Sequence, residues 1–97
     1  MTVTYEKARE LVREALQPQW TNGTFCLDDR DIVENDTMYI FNVGARENLV
    51  DGDLSFAVPG GVTVVYKEDG RVDSLPSVEV ATDPTVRTHP NPHPTFA

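Results

Sequence analysis

Basic residues, cysteine and histidine are scarce in this 97-residue chain, and a long apolar run is missing. Eight Lys and Arg face sixteen Asp and Glu, a formal charge of −8. Nucleic-acid binding needs a basic footprint, so that class is disfavoured. No stretch approaches the roughly 20 apolar residues of a membrane span. The N-terminus lacks the basic-then-apolar order of a signal peptide. A lone cysteine, Cys26, rules out an intramolecular disulfide. These features together predict a cytoplasmic location. The two histidines, His89 and His93, stand among prolines, far along the chain from Cys26. A catalytic thiol needs a positioned base, so Cys26 reads as a buried structural residue. No nucleophile–base pair or metal-ligand spacing occurs in the foldable part, which argues against an enzyme, a cofactor or a metal site.

Acid is what the chain has in excess. From Asp28 to Asp53 the carboxylates are Asp28, Asp29, Asp31, Glu34, Asp36, Glu47, Asp51 and Asp53, against Arg30 and Arg46, a local balance of −6. Such a face suits a basic protein partner and speeds its encounter. The plainer reading is solubility of a small domain. The spacing does not match a calcium loop, and Asp51-Gly52-Asp53 is only a fragment of one.

Tyr5, Ala8, Leu11, Val12, Ala15 and Leu16 form one apolar stripe at helical spacing, predicting a helix from Thr4 to Gln17. Thr4 can cap it, and Pro18 stops it. Trp20, in the connection that follows, is expected to pack over the helix end. Residues 24–27 read as a short strand and the acid-dense residues 28–36 as a solvated segment. Residues 37–43 are apolar on both faces apart from Thr37 and Asn42, which predicts a central strand. A polar loop over 44–53 precedes an alternating strand, Leu54 to Val58, broken by Pro59-Gly60-Gly61. That Gly pair is no phosphate loop, since neither Lys-Ser/Thr nor a helix follows it.

Residues 62–75 carry a hairpin signal around Asp69-Gly70. A two-residue turn would align Val62, Val64 and Tyr66 with Asp73 and Leu75. A three-residue loop with Gly70 left-handed would align them with Val72 instead. The second division is cleaner and is the expected register. Beyond Leu75, prolines at 76, 84, 90, 92 and 94 dissolve the pattern. The chain thus reads as one α+β domain over residues 1–76, an N-terminal helix on an antiparallel sheet of about four strands. A flexible Pro-rich tail over 77–97 follows. The predicted core is Tyr5, Ala8, Leu11, Val12, Leu16, Phe25, Leu27, Ile40, Phe56, Val62, Val64, Tyr66 and Val72. A core this small invites a partner or a weak homodimer.

Several passages resemble the immunity protein 35 family, or YrhB-type domain. They are Thr4-Tyr5-Glu6-Lys7-Ala8 before the helix, Tyr39-Ile40-Phe41, Asp53-Leu54-Ser55-Phe56-Ala57 with Pro59-Gly60-Gly61, and Val65 to Val72. The similarity covers roughly residues 4–75. Tyr39 stands where the family usually has Trp, and its Gly-Asn-x-Pro turn is reordered. The resemblance implies a bacterial protein that neutralises a toxin, and it carries no catalytic residues. A chaperone-like or regulatory interaction module is the alternative.

Overall fold

A computed structural model describes residues 2–56 and 61–95. Helix α1 spans Tyr5–Leu16. Thr4 Oγ1 accepts from the Lys7 amide at 3.2 Å, and Glu6 sits in the first turn, where the helix dipole favours an acid. Pro18 turns the chain into a single 3-10 turn, Gln17–Gln19. Trp20 then packs edge-to-face on Phe25, with centroids 5.6 Å apart, as a packing residue should.

The sheet has five antiparallel strands: β1 (Phe25–Glu34), β2 (Met38–Ala45), β3 (Gly61–Tyr66), β4 (Val72–Pro76) and β5 (Arg87–Pro90). Their order is β4-β3-β2-β1-β5, so β2 is central, as its apolar faces require. Two short helices, α2 (Arg46–Leu49) and α3 (Ser77–Ala81), lie outside the sheet. Among the described residues, no helix is long and apolar enough to cross a membrane.

Four expectations need correction. First, β1 does not end at Leu27 but continues through the acid-dense segment to Glu34. A bulge between Asp28 and Val33 makes this workable. Before it, Leu27 and Asp29 face the helix; after it, Ile32 and Glu34 do, with Val33 turned to the other face. Second, the sheet has five strands, because Arg87–Pro90, in the segment read as tail, pairs with Asp31–Glu34 of β1. Pro90 comes last in β5, where a missing amide does least harm. Third, Leu54–Phe56 is a 3-10 turn rather than the start of a strand; the rest of that expected strand, with Pro59 and Gly60, lies outside the described residues. Fourth, the hairpin takes neither expected register. Val65 pairs with Val72 and Val62 with Leu75, and the Tyr66 amide donates to the Arg71 carbonyl. The loop therefore has four residues, Lys67 to Gly70. The Lys67 backbone faces away from β4: its amide donates to Thr37, continuing the β2–β3 pairing, and its carbonyl accepts from Val3. Gly70 is left-handed, with φ +75°.

Both faces of the sheet are covered. On one, Tyr5, Ala8 and Val12 of α1 pack on Leu27, Phe41 and Val65, with Val72 at the edge. On the other, Met38, Ile40 and Val64 pack against Val62, Leu75, Val80 and Val86. Val72 and Val62 thus serve different clusters. Asn35 pins the β1–β2 turn: its Oδ1 accepts from the amides of Thr37 and Met38, both at 2.9 Å, and its Nδ2 donates to Thr85.

Candidate protein-binding surface

Alternation along β1 separates the acids that lie side by side in sequence. Asp29 points under α1 and is fully buried, so a partner cannot reach it. It accepts from Arg9 Nη1 at 2.9 Å, from the Thr95 amide, and from Thr95 Oγ1 at 2.6 Å. Its place in the expected contact surface is therefore corrected: it is an internal anchor. A buried carboxylate is tolerated only when paired and hydrogen-bonded, and this one is both.

Glu34 is also engaged within the fold. Its Oε1 lies 2.6 Å from Lys67 Nζ and its Oε2 lies 2.8 Å from His89 Nε2. Hydrogen bonds from His89 and Lys67 hold its carboxyl below the usual range. Lys67 in turn lies over the Tyr39 ring at 4.6 Å. Glu47 accepts from the Thr24 amide, and Asp53 accepts from Ser55; both carboxyls are lowered by those bonds. Asp36 makes a loose, exposed contact to Arg87 at 3.3 Å. Asp31 and Asp51 are exposed and have no ion-pair partner among the described residues.

Asp28 faces away from α1. Arg30 grips it through Nε at 3.0 Å and Nη2 at 2.7 Å, and this pairing lowers its carboxyl. With Asp31 it borders an open groove of about 220 Å³, whose other walls are Val33, Ile40, Asn42 and Val62. Val33 and Ile40 are direct partners across β1 and β2, and Asp28 is the partner of Asn42. The groove is therefore a rim of polar groups beside an apolar floor, at the end of the second sheet face. The eight acids thus do not form one surface. Only Asp28 and Asp31 are brought together around a concave feature. Asn42 belongs to it too, and its signal was visible as the polar interruption of a strongly apolar strand.

Cys26 is buried, and burial pushes its thiol up from the ordinary value. Among the described residues, no group of three or more His, Cys, Asp and Glu could hold a metal. Comparison with family models, curated proteins and solved structures found no match to this chain.

Proposed function

We propose that this chain is a stoichiometric protein-binding domain rather than an enzyme, an immunity-type protein that blocks a basic bacterial toxin domain in the cytoplasm. The observation that supports this reading is the groove of Asp28, Asp31, Val33, Ile40, Asn42 and Val62. Arg and Lys have an apolar stem and a cationic head. The stem fits the valine and isoleucine floor, and the head meets the carboxylates at the rim. The formal charge of −8 draws such a partner in from a distance. The domain acts as a monomer or weak homodimer.

The test is affinity capture from a lysate of the encoding organism, at low and high salt, followed by a neutralisation assay with the purified partner. One basic protein, bound one-to-one and losing its activity on binding, is the expected result. A captured protein whose activity is unaffected would overturn the immunity reading.

A chaperone-like role is the second reading. It draws on Leu54, 83% exposed, and on the exposed Val50 a few residues before it. Native-state dye binding and suppression of client aggregation, both lost in Leu54→Ser, would favour it.

A further inference from the structure

Half of the eight basic side chains are ion-paired within the fold. Arg9, Arg30, Lys67 and Arg87 are each ion-paired to a carboxylate. Arg71 lies over the Tyr66 ring at 4.5 Å. Lys7, Arg13, Arg46 and Arg71 form no ion pair among the described residues, and of these Arg13 and Arg46 share one recess. Neither of the two has a carboxylate within 4.0 Å among the described residues, although acids outnumber bases two to one.

The two guanidiniums reach it from separate elements. Arg13 comes from the second half of α1 and Arg46 from the first residue of α2. Arg13 Nη2 donates to Thr95 Oγ1 at 2.7 Å, and that hydroxyl donates onward to Asp29. Arg13 is thereby steadied by one bond, with four N–H donors left over. Arg46 is placed by its backbone, whose amide donates to the Thr24 carbonyl at 2.8 Å. Gln17, Phe25 and Leu27 also line the recess.

We propose that this recess is an oxyanion site for a small organic ligand carrying a phosphate or carboxylate group. Two planar forks supplied by separate elements line the recess, and arginine recognises the paired oxygens of such a group bidentately. The surrounding negative charge repels anions in general, so only a group seated between the two forks gains more than it loses. The recess, about 370 Å³, is larger than one phosphate and leaves room for a short carbon stem. This site is separate from the acidic groove and does not rest on the protein-binding reading.

The experiment is an amide NMR titration of the full chain with inorganic phosphate and, separately, with malonate, against sodium chloride at matched ionic strength. Saturable shifts at Phe25, Cys26 and Arg46, absent in chloride, are expected with at least one of the two anions, and the tighter one identifies the preferred group. Binding should weaken at least about tenfold in Arg13→Met/Arg46→Gln, which removes both charge-assisted forks. Arg46→Gln alone keeps the backbone amide that bonds to Thr24, so it serves as the milder variant, with a weakening of several-fold. Shifts that never saturate, that appear equally in chloride, or that survive in both variants would overturn the proposal.

Discussion

Arg9 and Asp29 meet at 2.9 Å beneath the helix, and the carboxylate is wholly removed from solvent. The helix is thereby bonded to the middle of β1 by charge as well as by packing. Removing one member of a buried pair strands the other, at a cost of about 3–5 kcal/mol. Arg9→Met should therefore lower unfolding stability by that order in urea titration. Arg9→Met/Asp29→Leu should recover part of the loss, because no charge is left buried although the Thr95 amide and hydroxyl lose their acceptor. If the double variant is no more stable than the single, the pairing is not what matters.

Gly70 and Gly52 provide a matched comparison. Both are left-handed, at φ +75° and +72°. A Cβ on Gly70 would stand 3.1 Å from Leu11 Cδ1 and 3.3 Å from Val3 Cγ2, whereas one on Gly52 meets nothing within 4 Å. Gly52→Ala should cost about 1 kcal/mol, from backbone strain alone. Gly70→Ala should cost more, about 2 kcal/mol, since it also crowds the helix. Equal melting temperatures for the two variants would remove the packing component.

Glu34 titrates below its ordinary 4.5 in the folded chain, because His89 and Lys67 donate to it. A depressed carboxyl adds stability above its unfolded value, and that stability is lost as pH falls through the folded value. Wild type should therefore exceed Glu34→Gln in stability at neutral pH, with the gap closing below about pH 4.5. Hydrogen exchange at Thr88, in the strand that His89 anchors, should be faster in Glu34→Gln at pH 7.

The acids differ in what a charge reversal would do. Asp31→Lys changes an exposed group on the groove rim. It should leave melting within about 0.5 kcal/mol and slow partner association several-fold at low salt. Asp29→Lys should fail to fold. An unchanged on-rate in Asp31→Lys would detach the groove from binding.

Cys26 is 8% exposed and its thiol is raised, so it should resist alkylation at pH 8 until denaturant is added. Fast labelling of the native protein would contradict its burial.

The helix was legible because its stripe and cap are local: Tyr5, Ala8 and Val12 are buried where the spacing puts them. The acids of β1 were not, for two reasons. Asp is a poor strand former, and charge density along a chain carries no information about which side of a sheet each residue takes. Asp29 is compatible with a strand interior because Arg9, 20 positions away, and Thr95, 66 positions away, both bond to it. The hairpin shows the same limit. Gly70 revealed its left-handed turn, but the register puts Val72 and Val62 in different hydrophobic clusters, on opposite faces of the sheet, a division that tertiary packing rather than the local pattern displays. Prolines at 90, 92 and 94 obscured β5, in which Arg87, Thr88 and His89 precede them and Pro90 itself takes the last pairing position. The groove stayed hidden until the bulge placed Asp31 and Val33 on the face of Ile40.

The last strand joins the first. Asp29 receives Thr95 from 66 positions downstream, and Ile32 pairs with His89. During synthesis β1 emerges from the ribosome long before the residues that complete it. Until then, its outer edge and the carboxylate of Asp29 must wait with only part of their final bonding. The closing contacts are also among the most distant in sequence, 66 positions for Asp29 with Thr95 and 82 for Arg13 with Thr95, so they should come late in folding. Vectorial synthesis thus leaves this domain with an interval of incompleteness that its finished architecture conceals.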